Sequence, residues 1–377
     1  MSLNMNEMPK IGFGLMRLPE NDGVIDIAKV CDMVDAYLDA GFNYFDTAYV
    51  YHGGNSEKAV KEAIVKRHPR DSFTVASKLP CWCIQSLEDR DKIFNEQLDR
   101  CGVDYFDFYL LHSIEDGNNI DSYEKYDCFN WGIAKKAEGK IRHFGFSYHG
   151  SPELLVKILD AHPEVEFVQI QLNYADWEDP LIQSGALYNI LAERNIPIIV
   201  MEPCKGGRLA NHDDECTDIL KSVRPDKSVA SWAFRFVGSL PGVATILSGM
   251  TTADQMEDNL ATFKAFEPLS DDEKAAIGKV VEAMSRIALI GCTACRYCVD
   301  GCPMRISIPD VINAVNSRRK FPGDMRPQFF YNGLVERDGN GKASACIECG
   351  QCEGVCPQHL PITTIMKEAV EKFEAQG

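Results

Sequence analysis

The chain has 377 residues, 45% of them hydrophobic, and a formal net charge of −17. That length exceeds one small domain and suits a barrel-sized domain with an appendage, and the apolar share allows a full core. The acidic balance argues against nucleic acid or an anionic membrane as partner, and there is no apolar run of about 18 residues to span a bilayer. The N-terminus MSLNMNEMPK (1–10) lacks the apolar stretch of a secretory signal, so a cytoplasmic protein is expected.

From residue 11 onward, short apolar runs alternate with amphipathic helical segments. The expected strands are 11–15, 42–46, 73–77, 106–112, 142–147, 167–172, 196–202 and 243–248. The expected helices are 26–40, 55–67, 88–101, 122–138, 152–161, 181–194, 227–238 and 253–266. The strands are almost continuously apolar, as when both faces of a parallel sheet are covered. Eight strand–helix units in a row describe an α/β fold, a (β/α)8 TIM barrel. A doubly wound sheet is the alternative, but eight regular units and the lack of G-x-G-x-x-G after the first strand count against it. Trp131 and Trp232 fall in expected helices and read as packing residues.

A further helix, 268–287, capped by Ser270 or Asp271, is expected to cross the barrel and lead into a cysteine-rich region. There CTACRYCVDGCP (292–303) and CIECGQCEGVCP (346–357) share the spacing C-x2-C-x2-C-x3-C-P. In such runs three thiolates curl round one [4Fe–4S] cube, and the proline turns the fourth towards a second cube. Cys292, Cys295, Cys298, Cys302, Cys346, Cys349, Cys352 and Cys356 are therefore expected to hold two [4Fe–4S] clusters. Zinc or disulfides would not require eight cysteines in this duplicated order. The segment between the runs contains a helical pattern at 308–320 and a Pro/Gly-rich bend at 321–328, and the tail 362–376 is also helical. These point to a small, mainly α-helical dicluster ferredoxin-like domain. The expected boundaries are 1–268 for the barrel, 269–290 for the connecting helix and 291–377 for the cluster domain. Beyond the cysteine run no internal repeat is evident. Arg318-Arg319-Lys320 reads as a solvated helix end or, less simply, a patch for an acidic partner. The seven other cysteines read mostly as small buried hydrophobes in a reducing compartment, with Cys81-Trp82-Cys83 as a loop wall.

In a barrel, residues at the C-terminal strand ends face the active site. Those ends offer Asp46, Tyr51 in the following loop, Lys78 and His112. Each alone has an ordinary structural reading; together they form a device for adding a proton where a hydride has been delivered. Tyr51 is the general acid, and the Lys78 cation lowers its pKa from about 10. Asp46 keeps Lys78 charged, and His112 orients the substrate oxygen or relays a proton.

With these residues in place, GFNYFDTAYVY (41–51), Asn55-Ser56-Glu57, Ser77-Lys78 and Leu110-Leu111-His112 resemble the aldo/keto reductase family. IGFGLMR (11–17) and KIRHFGFS (140–147) fit the same pattern, which runs from about residue 8 to 266. The whole chain resembles the subset with a C-terminal ferredoxin-like extension. The resemblance places the family's tetrad on Asp46, Tyr51, Lys78 and His112. It also implies a nicotinamide cofactor lying across the strand ends without a Rossmann fold. By that resemblance Ser147 and Gln169 would hold the carboxamide, and the loop 202–208 with Gly206 the pyrophosphate. Ser248, Gln255 and Asn259 would then lie near the adenosine. Met201 stands where relatives often have an aromatic residue, and Gly249 and Gln255 stand where relatives preferring NADPH have Lys and Arg. The cofactor is thus NADP(H) or NAD(H), with Lys205 or Arg208 as compensating cations for a 2′-phosphate.

The expected function is nicotinamide-dependent reduction of a small-molecule carbonyl, or oxidation of the alcohol, with the clusters relaying electrons to or from a redox partner protein. Hydride carries two electrons and each cluster one, so a flavin intermediary stays open, although no flavin motif is visible. The alternative is an electron-transfer or docking subunit whose barrel binds cofactor without turnover. A purely structural role for the clusters is a third reading. Substrate specificity is expected from loops 80–87, 113–122 and 174–180, with Trp82, Tyr174 and Trp177 as aromatic walls.

Overall fold

The computed structural model describes residues 8–115, 119–180, 182–286, 289–292, 294–336 and 340–374. The N-terminal residues 1–7, the loop residues 116–118 and the expected helix ends 287 and 375–376 lie outside them. Eight strands form a closed barrel: β1 (Ile11–Gly14), β2 (Tyr44–Asp46), β3 (Thr74–Leu79), β4 (Phe106–Ile114), β5 (Ile141–Tyr148), β6 (Phe167–Gln171), β7 (Ile198–Met201) and β8 (Val243–Gly249). Each strand pairs in parallel with its sequence neighbour, and β1 closes the ring between β2 and β8. The eight expected strands coincide with these to within two residues at each end.

Burial on both faces explains the apolar strands. Tyr44, Ala76, Phe108, Leu110, Phe167, Ile199 and Leu247 fill the barrel interior, and Met8 packs against them. The opposite strand faces join the helices in a second core that includes Phe45, Val75, Tyr109, Phe146, Ile170 and Val200. Gly145 on β5 leaves room for its neighbour strand, since a Cβ there would run into the Phe167 carbonyl.

The helices depart from expectation where their sequence signal is weak. The segment 122–138 splits into Ile120–Lys125 and Cys128–Ala137, with Asp127 in the left-handed region at φ 50° between them. A helix at Asp214–Val223 was not expected, because Cys216 and Leu220 are its only buried residues among those described. Asp213 starts it by accepting a 2.9 Å hydrogen bond from Cys216 N.

The chain divides into two compact units between Ile277 and Gly278. In the first, Arg235 on helix Val229–Gly238 forms a bidentate pair with Glu273, at 2.6 and 2.7 Å. Both side chains are 2% exposed. The Arg235 pair, together with a Ser270 N–H bond, holds the Glu273 carboxyl down at about 2 against the effect of burial. The second unit contains helices Ile308–Lys320, Arg326–Glu336 and Ile362–Phe373 and, among its described residues, no strand. Helix Arg326–Glu336 begins inside the expected bend 321–328, because Pro327 is tolerated in a first turn, where backbone N–H groups have no helical partner anyway, and runs on beyond it.

Arg235→Ala removes the bidentate partner of the buried Glu273 and leaves it the 3.2 Å contact to Arg224. A stability loss of up to about 3 kcal/mol at neutral pH is expected, measured by urea denaturation. Because the folded Glu273 pKa is depressed, its contribution is present above the unfolded value of 4.5 and is lost as pH falls towards about 2.

Candidate functional site

Three strand ends and one turn bring the expected tetrad together. Asp46 ends β2 and Lys78 lies near the end of β3, on neighbouring parallel strands. Lys78 Nζ donates to Asp46 Oδ1 at 2.5 Å and to the Thr47 carbonyl at 2.7 Å. The ammonium is wholly buried. Tyr51 enters from a tight turn, Tyr51–Gly54, in which His52, Gly53 and Gly54 have φ of 51°, 62° and 87°. A non-glycine residue in that region is strained by about 1 kcal/mol. His52 is held there by a 2.5 Å contact from its Nδ1 to Glu20 Oε1, on a short hairpin, Glu20–Asn21 and Val24–Ile25. The Tyr51 hydroxyl lies 3.5 Å from Lys78 Nζ, and the ammonium sits 4.9 Å from the ring centroid.

His112 comes from β4 just where its pairing with β5 shifts register between Leu111 and Ile114. Such an irregularity turns a side chain out of the regular alternation. Its ring lies edge-on to Tyr51, with centroids 5.9 Å apart, and is covered by Trp82 at 5.3 Å. The residue that secures these strand ends is one the sequence reading missed. The Tyr123 hydroxyl accepts from His112 N (2.9 Å) and Cys81 N (3.1 Å) and lies 2.8 Å from Leu79 O and 2.7 Å from His112 O. It ties β3 to β4 beside the site. Behind them Gln97 donates to Lys78 O, Ser77 Oγ and Glu57 Oε1, at 3.1, 2.8 and 2.8 Å.

Burial dominates the electrostatics. It pushes the Tyr51 hydroxyl above its ordinary pKa, with Asp46 and Glu202 adding to the rise and Lys78 opposing it. Lys78 lowers the Tyr51 pKa as expected, but desolvation of the phenolate is larger, so the net direction is upward and Tyr51 is protonated at neutral pH. Burial, Lys78 and His149 push His112 well below 6.5, so its imidazole is neutral. Burial also works against the Lys78 charge, and Asp46 with Tyr51 outweighs it, leaving the ammonium above its ordinary value.

Of the expected cofactor residues, Ser147, Gln169, Gly206 and Ser248 lie in strands or the loops that follow, and Gln255 and Asn259 lie on helix Ala253–Lys264. Ser147 and Gln169 are paired across β5 and β6. Ser147 Oγ accepts from Ser113 N at 2.7 Å. Gln169 Nε2 points to Met201 Sδ at 3.4 Å, while its buried Oε1 has no hydrogen-bond partner. Gly206 and Gly207 adopt φ of 67° and 94° in the turn Lys205–Ala210. Asn259 Nδ2 donates to Ser248 Oγ at 2.9 Å. Gln255 is engaged locally: its Oε1 accepts from Thr251 N and Thr252 N at the start of helix Ala253–Lys264. Lys205 does not serve as the free cation expected of it, because it is buried and ion-paired with Asp176. Asp176 in turn accepts from Gln171 and Asn173 at 2.8 and 2.7 Å. Arg17, which sequence reasoning passed over, lies beside both loops. Its guanidinium is 3.6 Å from where a Gly206 Cβ would be, and its Cδ 3.2 Å from a Gly249 Cβ.

Of the three expected aromatic walls, Trp82 reaches the tetrad. Trp177 packs on Tyr188 and Phe236, and Tyr174 packs on Phe236 and bonds His212 through its hydroxyl at 2.7 Å. Apolar side chains after β6 found partners among the outer helices. Burial pushes the thiols of Cys81, Cys128 and Cys204 up to about 11, 12 and 12, as suits packing residues.

The second unit holds two cavities lined by cysteines. One has Cys292, Cys295, Cys298 and Cys356 on its wall, and the other has Cys346, Cys349, Cys352 and Cys302. This is the three-plus-one exchange that the spacing implies. The backbone repeats as well. Ala294 and Glu348, Arg296 and Gly350, and Arg305 and His359 are equivalent pairs, and every member has positive φ. Successive left-handed and right-handed residues curl N–H groups into a concavity suited to an anionic group such as an iron–sulfur cluster. Six residues after the fourth cysteine of each run a long helix begins, at Ile308 and at Ile362. The repeat therefore extends past the cysteines, contrary to the sequence reading. Its two helices differ too much in residue type to be seen as copies.

Residues 10–282 match the aldo/keto reductase family and residues 291–361 a 4Fe-4S dicluster domain. The chain belongs to the aldo/keto reductase family. It is 30% identical over 279 residues to an aldo-keto reductase of Mycolicibacterium vanbaalenii, covering 72% of this chain and 88% of that one. It is 24% identical over 294 residues to the uncharacterized oxidoreductase YqkF of Bacillus subtilis, covering 71% and 92%. Among solved structures, aldo-keto reductase AKR11C1 of Bacillus halodurans, in its holo form, superposes with a TM-score of 0.58 at 24% identity, covering 72% of this chain and 91% of that one. An aldo-keto reductase of Klebsiella pneumoniae in complex with NADPH gives 0.57 at 24% identity, covering 73% and 91%.

Asp46→Asn should leave the Lys78 ammonium buried beside a neutral amide. A stability loss of about 3 kcal/mol at pH 7 is expected, together with a fall in the Lys78 pKa, read by urea denaturation and by NMR of labelled lysine.

Proposed function

We propose that this chain is a nicotinamide-dependent oxidoreductase that reduces a carbonyl, or oxidises the corresponding alcohol, at the barrel mouth. The observation that carries this reading is the Lys78 ammonium, held 2.5 Å from Asp46 and 3.5 Å from the Tyr51 hydroxyl, with a neutral His112 beside them. The bound nicotinamide would supply or accept the hydride. Tyr51, protonated at neutral pH, donates its proton to the substrate oxygen as negative charge builds there. Lys78 stabilises the tyrosinate left behind, and Asp46 keeps Lys78 charged. His112 carries a hydrogen on one ring nitrogen and orients the same oxygen. Its Nδ1 is buried without a hydrogen-bond partner, and so is Asp46 Oδ2.

The cofactor reading has its own support. The unpartnered Gln169 Oε1 suits an amide donor such as the carboxamide, and Ser147 lies on the neighbouring strand. The Gly206-Gly207 turn lets backbone approach a pyrophosphate, with Arg17 as the nearby cation. Ser248 and Asn259 lie on the adenosine side, where Gln255 contributes a helix start and no charge. Gly249 and Gln255 bring no charge and Lys205 is committed to Asp176, whereas Arg17 lies beside Gly249 and is a cation that would meet a 2′-phosphate, so NADH and NADPH are both carried as the cofactor.

In the second unit, the two cysteine-lined cavities would each hold a [4Fe–4S] cluster, which supplies one-electron transfer to or from a redox partner protein. Ile362 lines both cavities. Free cysteines throughout suit a reducing cytoplasm, and no helix among the described residues is long and apolar enough to cross a membrane. The substrate pocket has Trp82 as its aromatic wall, 53% exposed.

The test is anaerobic turnover of NADH and NADPH with a panel of aromatic aldehydes, quinones and keto-sugars. Tyr51→Phe should lower kcat by about 10²–10⁴-fold while nucleotide binding persists. Equal rates for wild type and variant would remove Tyr51 from the acid role.

A further inference from the structure

The two cysteine-lined cavities share a backbone but not a charge. At the residue after the second cysteine, both runs need a left-handed conformation: Gly350 has φ 72° and Arg296 φ 64°. Glycine is free to adopt it, whereas an arginine there is strained by about 1 kcal/mol. The side chain that bears this strain lies on the wall of the cavity formed by Cys292, Cys295, Cys298 and Cys356. It is also held in place: Arg296 Nη1 donates to Asp310 Oδ2 at 3.2 Å and Nη2 to Ser307 Oγ at 3.1 Å. Arg296 is among the residues lining that cavity and Asp310 is not. The other cavity has mostly apolar residues and the uncharged polar Gln351 and Thr363 beside its four cysteines, with no charged side chain on its wall. Of the acids close by in sequence, Glu348 pairs with Lys367 at 2.7 Å, and Glu353 accepts from the wall residue Thr363 at 2.7 and 2.8 Å, which puts a negative charge behind this cavity.

Resting on the two-cluster reading above, we propose that Arg296 makes the two clusters unequal: the one held by Cys292, Cys295, Cys298 and Cys356 has the higher reduction potential and is where an electron comes to rest. A cluster gains one negative charge on reduction, and a fixed cation on its wall favours that state, whereas an uncharged, mostly apolar wall disfavours it. Transfer between the clusters then runs one way, the cluster with the uncharged wall losing one electron as the Arg296-walled cluster gains one. A redox partner protein supplies or removes that electron. The arginine is a positioning charge, acting on the cluster's potential and touching no substrate.

The full-length chain, reconstituted anaerobically with iron and sulfide, is titrated with dithionite through viologen mediators and followed by EPR. Iron and sulfide for two clusters per chain, assayed first, decide the two-cluster reading; a shortfall in wild type overturns that reading and this inference with it. With both clusters present, wild type should show two separate midpoints. Arg296→Gln should lower the higher one, changing its oxidised-to-reduced ratio by up to about tenfold, or about 59 mV for one electron, and leave the lower one in place. Arg296→Lys, which keeps the charge, should stay near wild type. Asp310→Asn, which removes the opposing carboxylate, should move the same midpoint upward, and it decides the matter if Arg296→Gln fails to assemble. Midpoints that do not move in any variant, or a lower midpoint that moves instead, would overturn the inference.

Discussion

An ammonium ion with no exposure to water is the constraint from which the barrel site follows. Lys78 is wholly buried, and isolated charge in such a place is expensive enough that a lysine would ordinarily shed its proton. Asp46 on the neighbouring strand and the Thr47 carbonyl keep it charged. The requirement propagates outward. β2 and β3 are held in register by their backbone pairing, while Gln97 fixes β3 through the Lys78 carbonyl and Tyr123 ties β3 to β4 through Leu79 and His112. Tyr51 must be delivered close to the cation, which needs the tight turn at His52 and Gly53 and the Glu20 contact that steadies it. Tyr51 and His112 have their ionisation set by the same dry surroundings: burial keeps the tyrosine protonated and the histidine neutral. One acid with its proton on, one neutral donor and one fixed cation are what carbonyl reduction asks of a protein.

The second unit solves a different problem with one device used twice. Each cysteine run turns through left-handed residues at equivalent places, sends its fourth cysteine to the other cavity and then starts a helix. Exchanging the fourth ligand links the two halves, so neither cavity closes without both runs. Within that symmetry the departures stand out. An arginine takes a position where a glycine is comfortable, and it does so on the wall of one cavity alone.

Strands and tetrad were legible in the sequence because their cause is local and strong. A strand buried on both faces must be apolar throughout, and residues at strand ends in a barrel have a known direction. The cysteine spacing was legible for a similar reason, since the ligand geometry dictates it. What escaped depends on contacts between distant residues or on weak patterns. The Tyr123 hydroxyl reads as an ordinary aromatic until β3 and β4 are seen on either side of it. Lys205 looks like a free cation until Asp176 is found against it. Arg17 gains meaning through Gly206 and Gly249, which meet it only in the closed barrel. Helix Asp214–Val223 is amphipathic but buries two residues among those described, so its apolar stripe is too short to stand out in a largely polar stretch. The sign of the Tyr51 shift was a matter of magnitude: the lysine was visible in the sequence, whereas the cost of burying a phenolate was not.

A chain that places Tyr51, Lys78, Asp46 and His112 together in one unit and two cysteine-lined cavities in the other admits two proposed routes to a reduced product, and the label on the transferred hydrogen separates them. The direct measurement is anaerobic turnover of 4-nitrobenzaldehyde with NADH carrying deuterium at the transferable C4 position, with the product alcohol analysed by mass spectrometry and NMR. If Tyr51, Lys78, Asp46 and His112 form the reducing site, the alcohol carbon carries the deuterium and its oxygen a solvent proton. Protium at that carbon would mean that the electrons travelled separately from the hydrogen, and the account of the barrel as the site of hydride chemistry would be wrong.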